Sequence, residues 1–124
     1  MKEASLNRLY NFFIPPILGF LAFLIVVGCP DLNPRNIAWL DGGFDPSGHY
    51  IAWEFFRNGP WEIPLGTNFS FGADISSSIV YADAIPLMAI FFKLFSPLLG
   101  KPFQYIGLWI LFCFILQAYF AWAL

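Results

Sequence analysis

Charge is scarce in this 124-residue chain. It holds 6 Lys or Arg and 8 Asp or Glu, 11% of the sequence, against about 25% in soluble domains. The shortage excludes a broadly solvated surface. The lack of any basic cluster, with a formal charge of −2, removes the electrostatic footprint of nucleic-acid binding. Cysteine is nearly absent: Cys29 and Cys113 lie far apart in sequence, so neither a disulfide framework nor a thiolate metal spacing is present. One histidine, His49, excludes a multi-histidine metal centre, and with Ser76-Ser77-Ser78 it makes no nucleophile triad. Internal repeats, low-complexity tracts, phosphate-binding glycine loops and a second domain are also missing.

What remains is apolar. The chain is 59% hydrophobic and 21% aromatic, with 16 Phe, 5 Trp and 5 Tyr. A soluble fold of this size has too little interior to hide them. Residues 102–124 carry no charged side chain, and neither do 9–30 apart from their flanks. A bilayer core about 30 Å thick needs roughly 20 apolar residues in helix. A third apolar segment, 84–100, is interrupted by Lys93. Asp83 reads as its N-cap, Pro86 falls in its first turn, and Ser96-Pro97 bends or ends it. Lys93 is close enough to that end to snorkel to the interface. The expected fold is therefore an all-α membrane protein with three transmembrane helices, a re-entrant second segment being the alternative. The first span is read as an uncleaved signal anchor, since it exceeds the usual h-region and no small-x-small site follows Val27. Pro15 and Pro16 are placed near its start. The chain ends inside an apolar run, from which an N-terminal piece of a larger protein is expected.

Orientation follows from Lys and Arg. Lys2 and Arg8 precede the first span, and Lys101 follows the second. Residues 31–83 hold seven acids (Asp31, Asp41, Asp45, Glu54, Glu62, Asp74, Asp83) and only Arg35 and Arg57. The reading is a cytoplasmic tail at 1–8, a first span at 9–30, a periplasmic loop at 31–83, a second span at 84–100 and a third at 102–124. The setting is a bacterial inner membrane, with the lipid bilayer as partner and no nucleic acid.

The loop carries Trp39, Tyr50, Trp53 and Trp61, aromatics suited to headgroup level. A helix is expected at about 46–58. Asp45 is the N-cap, Pro46 the first residue, and Gly59-Pro60 the stop. Its stripe of His49, Ala52, Trp53 and Phe56, opposite Ser47, Glu54 and Asn58, predicts an amphipathic helix lying flat on the membrane. Residues 65–78 read as a wandering loop, in which Asn68-Phe69-Ser70 matches a glycosylation acceptor. Asp41 and Asp45 stand four apart around Gly42-Gly43. Carboxylates at a membrane surface serve as general base or hold a divalent metal, and an Asp before Gly-Gly is also plain turn chemistry. His49, Tyr50 and Arg57 follow as candidates for substrate or lipid phosphate. Arg57 is equally suited to neutralise helix-end carbonyls.

The order of features resembles the opening of the GT-C glycosyltransferases, multi-span enzymes that use polyprenyl-phosphate-linked sugars. The residues carrying it are Asp45-Pro46-Ser47-Gly48-His49-Tyr50, then Asn58-Gly59-Pro60-Trp61-Glu62-Ile63-Pro64, then Asp83-Ala84-Ile85-Pro86-Leu87. Together with Phe103-Gln104-Tyr105-Ile106-Gly107-Leu108-Trp109, they are also similar to an uncharacterised family of bacterial multi-pass proteins placed near that superfamily. The resemblance implies a polyprenyl-phosphate sugar donor and gives Asp45, or alternatively Asp41, the role of general base. Here Pro follows Asp45 and Ile precedes Pro86, departures that leave the choice of Asp and any metal open. The alternatives are a non-enzymatic membrane subunit in envelope polysaccharide assembly or transport, and an inactive truncated product.

Overall fold

The structure is a computed structural model that describes residues 2–42, 45–72 and 77–124, with side chains from Tyr10 onward except at Ser77. The described residues are mostly helical: α1 (Lys2–Val26), α2 (Asp45–Asn58), α3 (Pro86–Leu94) and α4 (Ile106–Ala123). A small antiparallel ribbon pairs β1 (Thr67–Asn68) with β2 (Ser77–Ser78), and 3-10 turns occupy Pro30–Leu32, Ala38–Leu40 and Ser96–Leu98. The chain divides into two compact units, one of residues 1–34 with 105–124, the other of residues 35–104.

The first unit is an antiparallel pair, α1 against α4. Phe12 pairs with Tyr119, Gly19 with Ile115 and Phe23 with Phe114, so sequence numbers fall on one helix as they rise on the other. Gly19 permits the close approach: a Cβ there would stand 2.7 Å from Ile115 Cα. Phe23 is fully buried, edge-on to Phe114 at 5.9 Å. α1 begins at Lys2, so Pro15 and Pro16 lie in its interior and not near its start. Proline cannot donate to the carbonyl four residues back. The Phe12 carbonyl, which Pro16 leaves without that donor, accepts the Tyr119 hydroxyl at 2.7 Å. α1 ends at Val26 and not at residue 30, because Gly28 takes a φ of 102° that favours glycine and Pro30 follows.

Among the described residues one helix, Ile106–Ala123, is long and apolar enough to cross a membrane; Tyr10–Val26 is a shorter apolar stretch of α1. Three transmembrane helices are not what the fold shows. The expected second span, 84–100, contains a nine-residue helix, α3. At about 1.5 Å per residue it reaches less than half the hydrocarbon thickness. It stops at Leu94 because the Phe95 N–H turns back to the Phe92 carbonyl and Ser96-Pro97-Leu98 tightens into a 3-10 turn.

In the second unit α2 lies where the sequence placed it, and the Gly59 N–H closes its last turn on the Phe55 carbonyl at 3.0 Å. Its stripe does not face lipid. Ala52, Trp53 and Phe56 are buried in the protein along with Leu40, Ile79, Ala84 and Ala89. The Trp53 indole donates to the Phe103 carbonyl at 2.9 Å, and Asn68 donates to the Ala52 carbonyl at 3.0 Å. Asn68 is therefore buried, which removes the glycosylation match, and residues 65–78 contain the β1–β2 ribbon. Lys93 does not snorkel. It is 4% exposed, donates to the Pro60 carbonyl at 2.8 Å, and lies 3.9 Å from the Phe56 ring centre and 4.8 Å from that of Trp61. Aromatic faces and a carbonyl replace water around its ammonium. Gly43, Phe44, Asp74 and Ser76, and the side chains of Lys2 and Arg8, lie outside the described residues.

Candidate functional site

The start of α2 forms one wall of an open cleft of about 550 Å³. Asp45, Ser47, Gly48 and His49 face Tyr81, Ala82 and Asp83 across it. Asp45 is the first helical residue, where a carboxylate is favoured by the positive end of the helix. The opposite wall is a folded turn. The Tyr81 N–H donates to Ser78, Asp83 to Val80, and Ala84 reaches back to Ile79 at 3.1 Å. The Ile79 N–H is itself held by the Gly66 carbonyl, so the ribbon anchors this wall. His49 Nδ1 lies 3.4 Å from the Ala82 carbonyl oxygen, a long bond across the cleft. A carbonyl can only accept, so this geometry favours the Nδ1–H tautomer and leaves Nε2 with a lone pair.

The turn is strained. Asp83 has a φ of 53° and Ile85 a φ of 52°. Aspartate visits this region readily; a β-branched residue there is an outlier. Asp83 was expected to cap α3, but the cap position belongs to Ile85, which makes no side-chain cap bond. Asp83 lines the cleft instead. Sequence reasoning missed this placement, and missed Tyr81 altogether. The only available signal was a Tyr and an Asp close together just ahead of Pro86.

The other candidates separate from this cleft. Asp41 ends the 3-10 turn Ala38–Leu40, is exposed, and does not line the cleft. Tyr50 and Arg57 both reach Glu54. The Tyr50 hydroxyl donates to Glu54 Oε1 at 3.4 Å, and Arg57 Nη1 lies 3.3 Å from the same oxygen. Burial pushes the Tyr50 phenol up to about 12, the Glu54 charge and hydrogen bond adding to it and Arg57 opposing. Arg57 is 4% exposed and also donates to Ser96 Oγ at 3.1 Å, to the Leu99 carbonyl at 2.7 Å and to the Gly100 carbonyl at 3.0 Å. Its guanidinium thus satisfies the carbonyls that end the 3-10 turn Ser96–Leu98, with the rings of Trp53 and Phe103 beside it. Among the described residues, no group of three or more His, Cys, Asp or Glu is arranged to hold a metal ion.

Residues 16–124 match the model of a domain of unknown function, DUF6311. The match covers most of the chain, which belongs to that family. No curated protein and no solved structure matches it.

Proposed function

We propose that the chain forms part of a GT-C-like membrane glycosyltransferase that takes its sugar from a polyprenyl-phosphate carrier, with Asp45 as general base. The observation carrying this reading is the position of Asp45: exposed, at the mouth of an open cleft, with His49 and Asp83 as polar neighbours. An acceptor hydroxyl in the cleft would give its proton to the Asp45 carboxylate. Its oxygen would bond to the anomeric carbon as the bond to the carrier phosphate breaks, the phosphate leaving with the electron pair. His49, through Nε2, is suited to orient that hydroxyl. The described residues do not assemble a metal site, so no step is assigned to a divalent cation.

Membrane immersion is supported by the apolar surface of the helices. Leu108, Phe112, Leu116 and Phe120 are exposed at four-residue spacing along α4, and Phe13, Ile17, Leu21 and Ile25 likewise along α1. Soluble proteins rarely leave so much contiguous apolar surface in water. In this reading α1 and α4 both cross a bacterial inner membrane, in opposite directions, with the N-terminus cytoplasmic and residues 35–104 in the periplasm. Lys93 and Lys101, read from sequence as lying on the cytoplasmic side, stand outside in this two-span arrangement, and the orientation rests on Lys2 and Arg8 ahead of the apolar stretch of α1.

Asp45→Asn should lower sugar transfer in membrane vesicles by about 10²–10⁴-fold, the usual contribution of a general base, with expression and melting temperature unchanged. Wild-type transfer in this variant would remove the assignment. Full function in the Asp41→Asn, Asp45→Asn double variant would point instead to a non-enzymatic subunit of envelope polysaccharide assembly.

A further inference from the structure

Four of the six Lys and Arg residues lie beyond α1, at 35, 57, 93 and 101. The fold gathers them around one short segment, 96–101. Arg57 donates to Ser96, Leu99 and Gly100. The Arg35 guanidinium lies alongside Gly100, where a Cβ would stand 3.6 Å from Nη2. Arg57, Lys93 and Lys101 line an open cleft of about 480 Å³ together with Asn58, Trp61 and Ser96, and no carboxylate is among the described residues lining it. Of the acids, Glu54 pairs with Arg57 at 3.3 Å and Glu62 acts on Lys93. Among the described residues that line the cleft, the cations outnumber the acids, in a chain whose net charge is −2.

The members differ in freedom. Arg57 and Lys93 are buried and held by carbonyls and rings. They supply fixed positive charge. Lys101 is exposed and holds the Asn58 side-chain oxygen, a bond that a charged acceptor can replace. The chain that carries the lining residues Lys93, Ser96, Pro97 and Leu99 also exposes apolar side chains: Leu94, Phe95 and Leu98 are 62%, 44% and 84% exposed. A cationic cleft on a segment with exposed apolar side chains matches an anion joined to a hydrocarbon tail.

We propose that the cleft formed by Arg57, Lys93, Lys101 and Trp61 binds a phosphate anion, and that its source is the headgroup of an anionic phospholipid, whose acyl chains lie against Leu94, Phe95 and Leu98. The site is separate from the Asp45 cleft and does not depend on sugar transfer. Arg57 and Lys93 set the field, and Lys101 makes the direct bond.

The test uses the protein in detergent micelles, supplied with phosphatidylglycerol and phosphatidylcholine in equal amounts, with bound lipid counted by native mass spectrometry. A preference for phosphatidylglycerol of at least fivefold is expected, falling to near parity in Lys101→Gln. This variant changes an exposed side chain, and circular dichroism checks that its fold is kept. Inorganic phosphate at millimolar concentration and constant ionic strength should leave the lipid bound. Displacement of the lipid by inorganic phosphate would overturn the headgroup as source. Equal retention of both lipids, or a preference unchanged in Lys101→Gln, would overturn the site.

Discussion

Arg57, Lys93 and Tyr50 show how the fold spends its few polar side chains. An ammonium or guanidinium with almost no exposure requires partners, because an unpaired buried charge costs several kcal/mol. Arg57 meets that need with a planar fork matched to the Ser96, Leu99 and Gly100 acceptors. Lys93 meets it with the Pro60 carbonyl and two rings, while burial holds its ammonium below the usual lysine range. Tyr50 leads to a prediction. Its phenol ionises at about 10 in an unfolded chain and at about 12 in the fold. The folded state therefore keeps a proton that the unfolded state loses. This contribution to stability is fully present below pH 10 and is lost as pH rises through 12. Thermal melts across that range should show the loss in the wild type and a shallower decline in Tyr50→Phe. Identical slopes would show that Tyr50 ionises alike in both states.

Elements record a contest between local sequence and packing. α2 is legible because its signals agree: Pro46 near the start, Gly59 and Pro60 at the stop, and an apolar stripe between. Its stripe was assigned to lipid because sequence alone does not reveal a protein partner; Ile79, Ala84 and Phe103 come from distant parts of the chain. α3 was overestimated because apolar content continues past Leu94 while the hydrogen-bonded helix does not. In the α1–α4 pair Gly19 is the residue that matters; Gly107 instead has the Asp31 backbone as its close neighbour. Gly19→Leu should weaken this pair. A larger residue gains about 1 kcal/mol in helix propensity, but overpacking costs about 1–3 kcal/mol, and the obstruction here is the Ile115 backbone, which cannot swing aside. A lower melting temperature in detergent is the expected result; an unchanged one would mean that the helices do not meet at Gly19.

At the scale of the whole molecule, the proposed sidedness makes a direct prediction. The proposed crossing by α1 and α4 is tested by the side on which residue 45 is found. A cysteine placed at residue 45, in a background with Cys29 and Cys113 replaced, should react with a membrane-impermeant maleimide added to the periplasmic face. Labelling only after the cytoplasmic face is opened would reverse the proposed orientation. Membership of DUF6311 bears out the resemblance to an uncharacterised family and does not extend to the glycosyltransferase superfamily.

The sequence by itself determined the apolar character of the chain and the span of α2 to within one residue, because these depend on composition and on signals within one or two turns. Tertiary structure decided the rest. It brought Asp83 to Asp45, sealed the α2 stripe with protein, shortened α3 and gathered four separated cations about residues 96–101. Each of these depends on which distant carbonyl, ring or backbone comes within about 3–4 Å of a side chain, the range over which hydrogen bonds and van der Waals contacts act.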